Sequence, residues 1–139
     1  MSLFRPQLWR IPTTGEAERR RLPELTATLE TRLKHIASRY PQAVFASSLA
    51  VEDMIVTDAI CRLKLPLRII TLDTGKLNPE TAALITAVNV RYQTELEVFH
   101  PDPESARQFG QEFGATAMYD SVELRRRCCH IRKIEPLNR

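Results

Sequence analysis

Three short apolar runs, each followed by a longer stretch with helical spacing, constrain this chain more than any other feature. Gln42–Ala46 reads as a buried strand, Leu67–Leu72 (with Ile69 and Ile70) as a second, and Glu95–Phe99 as a third that alternates. The helical stretches between and after them run from Glu52 to Leu63, from Pro79 to Tyr92 and from Pro103 to Phe113. Pro79 and Pro103 sit where a helix tolerates proline, at its first position, and Gly114 is a favoured terminator. Strands that alternate with helices of this length cannot be joined as hairpins. They imply βαβ units, hence an α/β fold with a parallel sheet and flanking helices.

Residues 1–41 have a different character and are expected to form an N-terminal helical segment ahead of an α/β domain over 42–139. Glu16–Arg21 is short and charged, and from Pro23 to Tyr40 the residues Leu25, Leu29, Leu33 and Ile36 recur at helical spacing until Pro41 stops them. A content of 43% hydrophobic and 27% charged residues belongs to a globular protein with a real core. Apolar runs such as Ala43–Ala46 are far too short to span a bilayer, so no membrane association is expected. Met1–Arg10 lacks the pattern of a secretory signal. Three cysteines without framework spacing point to a reducing compartment, and the cytoplasm is the expected location.

Two loops leave the carboxyl ends of adjacent strands, where open parallel sheets bind their ligands. Ser47-Ser48-Leu49-Ala50-Val51-Glu52-Asp53 enters the first helix of the α/β domain, and Leu72-Asp73-Thr74-Gly75 follows the second strand. Both are expected to open onto one crevice. Free N–H groups at the helix start, with the Ser47 and Ser48 hydroxyls, suit a phosphate or sulfate. The same serines also suit a helix N-cap, and Glu52 and Asp53 suit the helix dipole. Two carboxylates there repel an anion unless they point away or organise the loop. Asp73, Thr74 and Gly75 are all turn formers; set directly behind a buried strand, with Lys76, Asn78 and Glu80 following, they gain specificity as a site.

The adjacent pair Cys128-Cys129 is ringed by Arg125, Arg126, Arg127, Arg132 and Lys133. Positive charge favours thiolate over thiol, and thiolates bind soft metals and iron–sulfur clusters. A cluster normally takes four thiolates, and the chain has three cysteines in all, so the pair reads as half of a site. Cys61, beside Ile60 and Leu63, reads as a small buried hydrophobe, and His35, His100 and His130 show no metal spacing. The net charge of +3 names no partner. The basic cluster suits either a solvated helix face or a small anionic substrate; without interleaved aromatic residues it does not suit nucleic acid.

The segments SSLAVEDM at 47–54, LDTGKLNPET at 72–81 and CCHIRKIEPLNR at 128–139 resemble, in this order, the assimilatory adenylyl-sulfate and phosphoadenylyl-sulfate reductases. The resemblance covers roughly Ala43 to Arg139, and the double cysteine is its most specific part, marking the iron–sulfur branch. It implies an adenine nucleotide alpha-hydrolase-like fold. It also implies that Ser47, Ser48, Glu52 and Asp53 lie on the substrate-phosphate loop, and that Leu72, Asp73, Thr74 and Gly75 lie on the second nucleotide-site segment. Cys128 and Cys129 would be two ligands of a 4Fe-4S cluster, and Lys133 a catalytic basic residue between cluster and substrate.

Enzymes of this kind reduce adenylyl sulfate to sulfite and AMP. A cysteine thiolate near the C-terminus attacks the substrate's sulfur, and thioredoxin reduces the resulting S-sulfocysteine. Ala50 departs from a loop that often carries Gly at this place. The family's second cysteine pair and nucleophilic cysteine correspond to positions after Arg139. The resemblance therefore implies the N-terminal part of such a reductase, inactive by itself, and is compatible with a homo-oligomer. Two alternatives stand beside it. One is a non-catalytic adenine-nucleotide-binding module with a metal-binding cysteine pair. The other is an ATP-dependent sulfur-transfer relative of the same fold, although Ser47-Ser48-Leu49-Ala50 is not the Gly-rich loop such proteins carry.

Overall fold

The computed structural model describes residues 13–139; the expectation for Met1–Arg10 lies outside them. β1 (Val44–Ser47), β2 (Arg68–Leu72) and β3 (Glu97–Phe99) form a three-stranded sheet in the order β1-β2-β3, parallel throughout. The register sets Phe45 beside Ile69 and Ile70 beside Glu97. Because side chains alternate across a strand, Phe45 and Ile69 face one side, and Val44, Ala46, Arg68, Ile70 and Leu72 face the other.

The first side holds the main core. Phe45 and Ile69 pack with Leu33 of α1 (Glu16–Arg39), Ala59 and Ile60 of α2 (Val51–Arg62) and Val88 of α3 (Pro79–Tyr92). Ala59 and Ile60 are each 2% exposed, so this cluster excludes water well. The second side is more open. Val44 is 43% exposed there, and Arg68 donates through Nε and Nη2 to the two Glu97 carboxylate oxygens at 2.6 Å each.

A second cluster lies in the C-terminal part of the chain. Phe109 and Phe113 of α4 (Pro103–Phe113) pack with Ala117 of a 3₁₀ turn (Ala117–Tyr119), Leu124 and Cys128 of α5 (Val122–Cys129), and Ile131. From α5 the chain runs without a break through a π-helical turn (His130–Ile134) into α6 (Glu135–Leu137).

The α/β alternation is as the sequence predicts, with α3 and α4 starting and ending on the expected residues. The N-terminal segment differs. In place of a short charged piece and a separate helix, one helix runs from Glu16 to Arg39 straight through Pro23. Proline's missing N–H frees the carbonyl four residues earlier; here that stretch is exposed, so water can satisfy the Arg19 carbonyl. Residues 13–28 are all exposed, with Leu22 at 53% and Leu25 at 50%, and α1 enters the core only through its second half. Among the described residues no helix is long and apolar enough to cross a membrane.

Candidate functional site

The loop after β1 is held from within. Asp53 Oδ2 accepts from the Ser48 N–H at 2.7 Å and from the Ser48 hydroxyl at 2.6 Å. Ser47 Oγ accepts from the Leu49 N–H at 3.1 Å, and Ser48 Oγ from the Ala50 N–H at 3.3 Å. Asp53 therefore organises the loop, one of the two ways in which a carboxylate at this helix start avoids repelling an anion. The N-cap is neither serine: it is Ala50, with no capping side chain, so the first amides of α2 keep no side-chain partner. Ala50 has a φ of −71°, and the left-handed residue is Leu49, with a φ of 65° and a buried side chain. Departure from Gly at 50 thus costs the loop no strain; burial of the leucine holds the strained position next to it.

In the loop after β2, Asp73 Oδ1 accepts from the Gly75 N–H at 2.9 Å, an Asx turn, while the Asp73 N–H donates to the Phe99 carbonyl at 3.0 Å. His100 Nδ1 lies 3.9 Å from Asp73 Oδ2. Thr74 is buried, and its hydroxyl accepts from the Lys76 N–H at 3.3 Å. Gly75 has a φ of 68°.

The two loops share a cavity of about 270 Å³ at the carboxyl ends of β1 and β2, as the strand order requires. Ser47, Ser48, Leu72, Thr74 and Lys133 all line it, with Ile70, Thr71, Leu77 and Leu137 among the remaining wall residues. Glu52, Asp53, Asp73 and Gly75 do not line it: Glu52 is exposed on the helix, and the hydrogen bonds of Asp53 and Asp73 shape the loops. Leu77 and Leu137 were not expected here. Leu77 lies inside the second motif and Leu137 inside the third, but neither was singled out as a wall residue.

A neighbouring cavity of about 230 Å³ is lined by Cys128 and Cys129 together with Thr74, Lys76, Arg132 and Lys133, and also Met118 and Arg125. Cys128 is 6% exposed, and Cys129 is half-buried. Residues four apart on a helix share a face, so Cys128 is followed by Arg132 and Cys129 by Lys133 one turn on. Lys133 and Thr74 line both cavities. Of the five basic residues near the thiols in sequence, Arg125, Arg132 and Lys133 line their cavity, whereas Arg126 does not and Arg127 lies over the Phe113 ring and pairs with Glu112 at 3.4 Å. His130 faces Glu135 across 3.6 Å.

Two adjacent thiols beside a cationic cavity fit half of a four-thiolate set. Among the described residues nothing completes it, and no group of three or more His, Cys, Asp or Glu side chains is placed to hold a metal ion. Cys61 lies elsewhere, packed against the main core beside Leu65 and Tyr92; burial, with the Asp58 charge behind it, pushes its thiol pKa up. It is a packing residue, as its neighbours suggested, though half-buried rather than fully buried.

A family model for the phosphoadenosine phosphosulfate reductase domain matches residues 42–139. The chain is 46% identical over 139 residues to the adenosine 5'-phosphosulfate reductase of Neisseria meningitidis serogroup B, covering 99% of this chain and 56% of that protein. It is 48% identical over 120 residues to the enzyme of the same name from Burkholderia cepacia, covering 84% of this chain and 48% of that one. It thus spans about half the length of the curated relatives it matches. The crystal structure of phosphoadenylyl-sulfate reductase from Candida auris, a phosphate complex, superposes with a TM-score of 0.62 at 20% identity, over 91% of this chain and 62% of that one. At that identity the likeness speaks for the fold alone. On the match over 42–139, which takes in both strand-end loops and the cysteine pair, this chain belongs to the phosphoadenosine phosphosulfate reductase domain family.

Proposed function

We propose that this chain supplies the substrate site of a cytoplasmic adenylyl-sulfate reductase of sulfate assimilation. In the reaction, adenylyl sulfate and reduced thioredoxin give sulfite, AMP and oxidised thioredoxin. Residues 42–139 carry the site, with residues 1–41 appended. The observation that carries the reading is the double position of Lys133, whose side chain lines the strand-end crevice and the cysteine cavity together. An ammonium group there can neutralise a sulfate held between the two. The printed names of the bacterial relatives support adenylyl sulfate as the substrate.

The roles divide by chemistry. Ser47 and Ser48, with the uncapped first amides of α2, take the substrate phosphate. Asp53 keeps that loop in shape, and Glu52 contributes only its charge at the helix start. Leu72 and Thr74 form the second edge of the nucleotide site, and Asp73 and Gly75 hold that edge in shape through their turn. Lys133 is the catalytic residue of this chain, and Cys128 and Cys129 supply two of four thiolates for a 4Fe-4S cluster. When bound, the cluster supplies charge that tunes the field near the substrate. The nucleophilic cysteine belongs to the part of the longer relatives that this chain does not match.

Calorimetric titration of the folded protein tests the reading. AMP is expected to bind weakly, adenylyl sulfate to compete with it, and Lys133→Met to weaken adenylyl sulfate more than AMP, because only the former carries the sulfate. Absence of heat and of competition on a folded sample would overturn it. Metal analysis separates the alternatives: iron with acid-labile sulfide supports the reductase, and zinc alone supports a non-catalytic module.

A further inference from the structure

Among the described residues, Arg132 is the one basic residue around the cysteine pair whose hydrogen bond crosses to the crevice. Its Nη1 donates to the Thr74 carbonyl at 2.6 Å, across 58 residues of sequence. The same nitrogen lies 3.3 Å from where a Cβ on Gly75 would stand, so a side chain there would press the guanidinium aside by a few tenths of an ångström. Arg132 sits in the π-helical turn that directly follows the cysteines, and it is half-buried. Insertions of this kind widen a helical turn and recur at functional sites. Lys76 makes a second tie between the same two layers, with Nζ donating to the Ala115 carbonyl at 2.7 Å. The loop that edges the crevice is thus fastened to the helix that carries the thiols.

We infer that Arg132 is a positioning residue which couples the two cavities: a nucleotide that settles the Asp73–Gly75 loop also settles the cysteine-bearing turn. Thr74 is the mechanical link, since its carbonyl takes the guanidinium bond and its residue lines both cavities. Cys129 lines only the neighbouring cavity, so a crevice ligand reaches it through the residues that line both, Thr74 with its Arg132 bond or Lys133, and the Arg132 variants below separate the two routes. The inference rests on the crevice being the nucleotide site, and it adds a regulation that the assignment alone does not contain.

The test follows alkylation by iodoacetamide, resolved by peptide mass spectrometry, on the protein as purified under argon. Cys61 serves as the internal reference. Saturating AMP is expected to slow modification of Cys129 by about fivefold or more and to leave Cys61 unchanged. Arg132→Met is expected to keep AMP binding by calorimetry but lose the AMP effect at Cys129. Arg132→Lys, which retains a donor without the planar fork, is expected to recover part of it. If Arg132→Met does not fold, as judged by circular dichroism, the Lys variant carries the test. Wild-type protein that binds AMP with an unchanged Cys129 rate overturns the coupling alone, as does protection that survives in Arg132→Met. Loss of AMP binding in both variants makes Arg132 a binding group and overturns it as well. Failure of wild-type protein to bind AMP overturns the nucleotide reading and the coupling with it.

Discussion

Gly75 and Asp73 together show how a tripeptide of turn formers becomes specific. Gly75 adopts a φ of 68° beneath the Arg132 guanidinium, whereas Gly114 has a positive φ with open space around it. Gly75→Ala is therefore expected to lower stability by about 1–2 kcal/mol through the left-handed backbone alone, with the displaced arginine adding to it. Urea denaturation of the two proteins measures this. Asp73→Asn keeps an acceptor for the Gly75 N–H and is expected to preserve AMP affinity, while Asp73→Ala is expected to weaken it; calorimetry distinguishes the two. The turn itself was legible in Asp73-Thr74-Gly75 because each residue favours it. The Arg132 contact was not, because a bond between residues 58 apart leaves no local trace. Leu49 is the opposite case. Leucine rarely adopts the left-handed region, so sequence reasoning looked to Ala50, and only the buried side chain explains the choice.

Helix ends in the C-terminal layer are set by side chains whose loss can be measured. Ser121 caps α5, its hydroxyl accepting from the Leu124 N–H at 3.1 Å, so Ser121→Ala is expected to cost about 1 kcal/mol in a urea titration. Asp102 caps α4: the Ser105 N–H and hydroxyl, at 2.8 and 3.0 Å, hold its carboxyl below the usual range. The Arg68 fork does the same for Glu97, first by hydrogen bonding. A carboxyl depressed in the folded state adds stability that is present above the unfolded value, about pH 4, and is lost as pH falls through the lower folded value. Melting temperature is thus expected to drop with acidification below about pH 4. Asp102→Asn, which still accepts a bond but does not titrate, is expected to flatten part of that drop. Helical spacing, first-position prolines and Gly114 made α3 and α4 legible in the sequence. The π-helical turn was not, since nothing in His130-Ile131-Arg132-Lys133-Ile134 distinguishes it from an ordinary helix. Nor was the passage of α1 through Pro23, which depends on solvent reaching the freed carbonyl.

Alternating apolar runs sufficed to expect a parallel sheet with its loops converging at one end, because the chain has few other ways to connect such strands. They could not show that the apolar residues divide between two clusters, since that division depends on which helix meets which surface. One cluster joins the sheet to α1, α2 and α3, and the other holds the cysteine-bearing layer together. Polar ties cross between the layers: Arg132 to the Thr74 carbonyl, Lys76 to the Ala115 carbonyl, and Arg139 Nη2 to the His100 carbonyl at 2.5 Å. Such ties, one partly buried and two exposed, are each worth no more than one buried apolar side chain, and each cluster buries several. The two layers are therefore expected to open with different free energies. Ile60→Ala, in the sheet cluster, is expected to cost about 2–5 kcal/mol and to speed amide exchange everywhere. Phe109 is 5% exposed, and its ring stands 5.3 Å from that of Phe113. Phe109→Ala removes a comparable amount of packing, about 3–5 kcal/mol, from the other layer. Its effect is expected to fall on α4 and α5, raising their amide exchange and exposing Cys128 to alkylation, while β2 keeps its protection. Equal loss of protection in β2 and α5 would mean that the polar ties make the layers one cooperative unit. The cysteine pair would then open only when the sheet does.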